Sequence, residues 1–207
     1  MGRRRRRGFR ARRLLGVLVI IGAAVALGLA VHQSMPPWYA RLWYPLEHDA
    51  AINRDAQRYG LDPALVAAVA WRESGFDASA MSPRGAVGVM QILPSTATFI
   101  ATQNAPPPGM PDDIEDPAVN IAYGAWYLRY LIDMHDGSVG AALASYNAGP
   151  GAVQSWQRAA QARGSDLRIP DDIPLDETRG YVTDVLAAWP IYRSAHGDRL
   201  GAVTVAP

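Results

Sequence analysis

LDPALVAAVAWRESGFDASAMSPRGAVGVMQ, residues Leu61 to Gln91, decides the fold of this chain. The stretch opens with a helix start. Asp62 offers a capping carboxylate, and Pro63 fits the first helical position, where its missing N–H costs nothing. The run from Ala64 to Trp71 is apolar on every face, which predicts a helix buried all round. Its character then changes in one step to Arg72-Glu73-Ser74-Gly75, and Gly75 suits a terminator. A carboxylate, Glu73, is therefore expected in the last turn of a buried helix.

That position is unfavourable for negative charge, because the carboxyl end of a helix is itself partly negative and burial disfavours ionisation. Both effects push Glu73 towards the protonated form that a general acid needs. Arg72 opposes this only if its guanidinium turns towards Glu73, and adjacent helix residues usually do not face each other. The competing reading is a solvated glutamate at a helix end. Beyond Gly75, Gly85 and Gly88 let backbone approach backbone or a ligand closely, and Gln91 brings an amide able to read hydroxyl and acetamido groups. The plainer alternative is a loop packing its own Val and Met.

These residues resemble a known family. Glu73-Ser74-Gly75-Phe76, followed by Ser82-Pro83-x-Gly85-Ala86-x-Gly88-x-Met90-Gln91-x-x-Pro94-x-Thr96-Ala97, is similar to the catalytic core of the soluble-lytic-transglycosylase-like (SLT) group, a lysozyme-fold family acting on peptidoglycan. The resemblance returns at Ala144-Ser145-Tyr146-Asn147-Ala148-Gly149-Pro150-Gly151-Ala152-Val153, and again at Ile173-Pro174-x-x-Glu177-Thr178-Arg179-x-Tyr181-Val182. It spans residues 46–195, and is poorest between Asn104 and Pro117. The chain departs from the pattern at Val89, where leucine is more usual, and at Ser145.

The resemblance implies a single catalytic glutamate, Glu73, acting as acid and then as base. It implies a substrate contact or an orienting role for Ser82, and a saccharide cleft lined by Gln91, Tyr146 and Asn147. Glu177 and Tyr181 are implied near the centre, and all six are counted as substrate-binding. For Gln91, Tyr146 and Asn147 a purely structural place is the alternative. For Glu177 it is a capping role in the first turn of its helix. Arg179 reads as structural, pairing with a buried acid. In this family the bond between N-acetylmuramic acid and N-acetylglucosamine is broken without water, leaving a 1,6-anhydro ring. No cofactor is implied.

The rest of the chain frames that domain. With 207 residues, one domain plus an attachment segment is the natural expectation. The absence of cysteine excludes a thiol nucleophile, a disulfide and a thiolate metal site within these residues. The four histidines, His32, His48, His135 and His196, show no ligand spacing, so no metal is expected. All 20 basic residues are arginine, and eight of them lie in residues 1–13. Taking those eight away leaves twelve basic residues against 19 acidic ones, a net charge of −7 for the remainder.

An arginine run can bind nucleic acid. Here it runs directly into Leu14–Val31, a stretch of 18 uncharged residues and sufficient for a spanning helix. Arginine before such a span argues for a cytoplasmic amino terminus, a single pass through the bacterial inner membrane and a catalytic domain on the periplasmic side, with no nucleic-acid partner. The rival is a cleaved signal peptide, with Gly28-Leu29-Ala30 as the cleavage site. The apolar run is longer than a typical signal core, which favours the anchor.

The expected organisation is therefore an arginine-rich tail (1–13), a transmembrane anchor (14–31), an aromatic and proline-bearing non-helical linker (32–45), a catalytic domain (46–199) and a tail (200–207). Helices are expected over 46–59, up to Glu73, from Pro94 to Ala101, from Asp116 to Asp136, from Val139 to Asn147, from Val153 to Ala162, and from Asp176 to about Ala195, where Pro190 should kink or interrupt the last. No strand-like alternation of useful length occurs. The fold class is mainly α, a lysozyme-like (goose-type) helical domain behind one transmembrane helix. Its partners are peptidoglycan glycan strands and the membrane. Two other functions stand beside the transglycosylase: a hydrolytic muramidase of the same fold, marked by a second acid holding a water opposite Glu73, and a non-catalytic wall-binding protein. The acid nearest Glu73 in sequence is Asp77, but Gly75 lies between them.

Overall fold

The computed structural model describes residues 3–201, with side chains from residue 18 onward. Residues 1–2 of the arginine-rich tail and 202–207 of the carboxyl-terminal tail lie outside the described residues, as do the side chains of residues 3–17. The chain forms two compact units, Met1–Trp43 and Tyr44–Pro207.

The first unit holds α1 (Arg3–Ser34) and α2 (Pro37–Trp43). From Leu18 to Leu29 the large apolar side chains of α1 are exposed. No single helix among the described residues is long and apolar enough to cross a membrane; Leu18–Ser34 and Pro37–Trp43 meet that test together, as a pair bent by 81°. The non-helical linker expected over 32–45 is corrected here. Within it only Met35, Pro36, Tyr44 and Pro45 are non-helical, and Pro37 starts a new helix, because the N–H that its ring removes is one that a helix start leaves unpaired anyway.

The second unit is built from helices alone: α3 (Asp49–Arg58), α4 (Pro63–Ser74), α5 (Pro94–Ala101), α6 (Pro117–Met134), α7 (Val139–Ala148), α8 (Pro150–Gln161) and α9 (Asp176–His196), with a 3₁₀ turn at Pro111–Asp113. Among the described residues there is no strand, only isolated bridges joining Met81 to Val87 and Val87 to Ile92.

Helix α4 is the axis. Every residue from Ala64 to Ala70 is at most 2% exposed, as its all-apolar surface requires. Full burial of Leu65, Val66 and Val69 is each worth about 1.5–3 kcal/mol. The helix packs against α9 on one side and α3 on another. Asp62 caps it, accepting from the Ala64 N–H at 2.9 Å, and its other carboxylate oxygen accepts from Trp189 Nε1 at 2.5 Å and from Arg193. The cap therefore also fixes the start of α4 to the far half of α9.

Helix α9 runs from Asp176 to His196 with Pro190 inside it, where a kink or interruption was expected. Pro190 faces solvent, so the carbonyl that loses its partner one turn back can be hydrated. Arg179 pairs with Asp176 and donates to the Ile173 carbonyl at 2.7 Å. The acid is exposed, not buried as expected, because Asp176 stands at the open first turn of the helix.

Candidate active site

The loop between α4 and α5 carries Ser82 and Gln91 and follows directly on Glu73, and three helices hold it. Helix α4 ends at Gly75, whose φ of 64° suits glycine and whose N–H returns to the Trp71 carbonyl at 2.8 Å. One residue earlier, Ser74 Oγ donates to the Val89 carbonyl at 2.8 Å. From α6, fully buried Asn120 accepts from the Met90 N–H at 2.7 Å and donates to the Val87 and Ile114 carbonyls, both at 2.8 Å. From α7, the Tyr146 hydroxyl donates to the Met90 carbonyl at 2.9 Å. Gly88 is required at its place: its φ is 78°, and a Cβ there would stand 2.6 Å from Asn120 Nδ2.

Glu73, half-buried in the last turn of α4, enters a cleft of about 430 Å³ whose lining includes Ser82, Arg84, Gln91, Leu93, Tyr146, Asn147 and Glu177. Burial pushes the Glu73 carboxyl up from 4.5 to about 7; the Tyr181 hydroxyl and the Arg72 charge pull the other way and lose. Arg72 is largely diverted, donating to Asp184 at 2.9 Å and lying over the Tyr181 ring. Glu73 is thus poised to hold a proton near neutral pH and to release it, which is what a group acting as acid and then base must do.

The cleft brings together six of the seven residues singled out from sequence. Ser82 Oγ accepts from the Ala86 N–H at 3.0 Å, which sets the turn on the cleft lip. Gln91, at a φ of 49°, donates through Nε2 to the Ala80 and Gly88 carbonyls at 3.1 and 3.0 Å, leaving its carbonyl oxygen as the group with unused capacity. Asn147 Oδ1 accepts from Thr178 at 2.7 Å, leaving its Nδ2 donors. Glu177 is exposed in the first turn of α9. Tyr181 differs from the rest. It is 2% exposed and does not line the cleft; its hydroxyl lies behind Glu73 and completes no hydrogen bond of normal geometry. Asp77 is turned outward, accepting from the Ser79 N–H and hydroxyl at 2.8 and 2.7 Å, and takes no part in the cleft.

Two residues of this region were not anticipated. Asn120 carries the loop, and its signal was an amide beside the apolar stripe of α6, a place where a polar group must be satisfied to be tolerated. Arg84 lines the cleft between Ser82 and Gly85. No group of three or more His, Cys, Asp or Glu able to hold a metal ion occurs among the described residues.

A strandless helical domain that delivers one raised carboxyl from a buried helix into an open polar cleft defines a lysozyme-like class of protein. Within that class the chain belongs to the Transglycosylase SLT domain family, which matches residues 50–169. It is 34% identical over 157 residues to the soluble lytic murein transglycosylase of Escherichia coli K12, covering 75% of this chain and 24% of that one. It is 33% identical over 130 residues to the membrane-bound lytic murein transglycosylase F 1 of Alkalilimnicola ehrlichii, covering 58% and 24%. Among solved structures, an inactive glutamate-to-glutamine mutant of the lytic transglycosylase Slt from Pseudomonas aeruginosa superposes with a TM-score of 0.65 at 30% identity, over 83% of this chain and 28% of that one. The chain thus spans about a quarter of the length of these curated relatives.

Proposed function

We propose that this protein is a peptidoglycan lytic transglycosylase that cleaves the β-1,4 bond between N-acetylmuramic acid and N-acetylglucosamine without water. The observation that carries the reading is Glu73, a carboxyl raised to about 7 by burial and lining an open cleft. The relatives' names support it, and so does the inactivity of the Pseudomonas protein once a glutamate becomes glutamine.

In this reaction Glu73 gives its proton to the glycosidic oxygen as the C1–O bond breaks, and the N-acetylglucosamine side leaves as an alcohol. The substrate's own N-acetyl group stabilises the positive charge developing at C1. The C6 hydroxyl oxygen then bonds to C1, and the Glu73 carboxylate takes the hydroxyl proton, which restores the acid. Nothing is consumed, and the product carries a 1,6-anhydro ring. Ser82 orients the N-acetyl group or Glu73. The Gln91 carbonyl, the Asn147 amide and Tyr146 hold the sugars. Glu177 borders the substrate from α9, and Tyr181 steadies the Glu73 carboxyl from behind.

The same reading places an anchor over residues 14–31, a catalytic domain over 46–199 and the cleft on the periplasmic side of the inner membrane. The exposed apolar surface of α1 and the existence of a membrane-bound relative support this. One observation favours a second reading. Glu177 puts another carboxylate in the Glu73 cleft, as a water-using muramidase requires.

Mass spectrometry of sacculi digested by the purified chain separates the two. A muropeptide lighter by one water than the reducing-end form is the expected product. A reducing-end product would replace ring closure with hydrolysis and give Glu177 the task of holding the water.

A further inference from the structure

The motif around the catalytic loop reads Ser82-Pro83-x-Gly85, and the position it leaves open is Arg84. Most arginines of the helical unit are tied to an acid: Arg54 to Asp55, Arg72 to Asp184, Arg129 to Asp133, Arg168 to Asp172, Arg179 to Asp176, Arg193 to Asp62 and Arg199 to Asp49. Arg84 has no hydrogen bond or ion pair among the described residues, although Glu73 and Glu177 line the same cleft. It is exposed, and it borders both the Glu73 cleft and the adjoining hollow that runs past Gln91 and Tyr146 to Thr96 and Tyr127.

The backbone that carries it is fixed. The Ser82 N–H donates to the Ala86 carbonyl and the Gly85 N–H to the Ser82 carbonyl, each at 2.9 Å, and Gly85 turns at a φ of 80°. A guanidinium held on a rigid turn over a glycan cleft, with all its donors unspent, is a receptor for a carboxylate.

The substrate class determines which carboxylate. The N-acetylated sugars of peptidoglycan are neutral. Its negative charge resides on the peptide stems, which leave the muramic residue through its lactyl ether. We infer that Arg84 forms a subsite for an anionic stem peptide, and that this residue makes the enzyme favour peptide-bearing strands over naked ones. The inference rests on the transglycosylase reading for its substrate. It gives Arg84 a specificity role and no part in bond breaking. Without this cation the charged side chains lining the cleft would be Glu73 and Glu177, both repelling a stem carboxylate when ionised.

The test compares glycan strands of matched length, with stems intact or stripped by an amidase, using the full chain in mild detergent. The ratio of kcat/KM on stem-bearing to stripped strands should exceed one in the parent protein. It should fall about tenfold in Arg84→Ala, remain partly preserved in Arg84→Lys, and shrink with added salt. A ratio equal in parent and Arg84→Ala overturns the subsite. Binding decides the matter separately. In the Glu73→Gln chain, the Kd for a tetrapeptide-bearing tetrasaccharide should rise about tenfold when Arg84→Ala is added, and an unaltered Kd overturns the inference. A folded parent chain that binds this ligand through Arg84 yet cleaves neither strand upholds the subsite and removes the catalytic reading.

Discussion

Glu73→Gln should stabilise the protein, increasingly as pH rises from 4.5 to about 7. The wild-type carboxyl titrates at 4.5 when unfolded and at about 7 when folded, because burial penalises its charged form. Between those values the native state binds a proton that the unfolded state has already released, so stability falls as pH rises through the window. The slope is about 1.4 kcal/mol per pH unit, and the total is roughly 3 kcal/mol, reached above pH 7 and constant beyond. Glutamine has the shape without the charge and escapes this loss. Urea unfolding of both proteins, followed by tryptophan fluorescence at several pH values from 4 to 9, measures the difference directly. The two should agree near pH 4 and separate progressively, with the variant the more stable. A difference independent of pH would show that Glu73 is not desolvated, and the case for a poised acid would fall with it. The same substitution should abolish glycan cleavage at every pH, so that one residue lowers stability while supplying the chemistry.

Other substitutions probe the supports of the cleft. Gly88→Ala places a Cβ against Asn120 Nδ2 at a positive φ, and should lower stability by about 2–4 kcal/mol in denaturant unfolding. Tyr181→Phe removes a hydroxyl that holds the Glu73 pKa down and has no properly formed partner of its own. The alkaline limb of kcat/KM should therefore move to higher pH with little loss of stability, and an unmoved limb would detach Tyr181 from Glu73. Asp62→Ala takes away the cap of α4 together with its links to Trp189 and Arg193, and should cost about 2–4 kcal/mol, readable as a drop in Tm.

What was legible in the sequence followed from local chemistry. The cap at Asp62, the all-apolar run and the glycine stop at Gly75 each act within a turn or two of themselves, so α4 and the placement of Glu73 could be read directly. The helix starts at Pro94 and Pro117 were legible for the same reason. The linker departs from expectation because Pro36-Pro37 reads as a barrier to helix, whereas the second proline begins one. The acid nearest Glu73 in sequence, Asp77, turns away, while Glu177, expected near the centre only through the family resemblance, arrives from a distant helix by the packing of α9 on α4 and α7. Asn120 was hidden because its role consists of bonds to residues remote in the chain. Gln91 was legible as an amide at the cleft, but the spending of its amide hydrogens on the loop that carries it was not.

The loop that lines the cleft is also a junction, since Ser74, Asn120 and Tyr146 grip its backbone from α4, α6 and α7. The floor of the substrate groove and the seam of three core helices are thus one object. Such a site cannot fray while the rest of the domain stands, because releasing Val89 or Met90 breaks bonds to helices in the protein's interior. Activity and cooperative unfolding should be lost together as temperature rises, with no folded but disarmed intermediate between them. On the transglycosylase reading, a site built this way is not switched off by local disorder of its cleft, and control over cutting must act on access to the substrate.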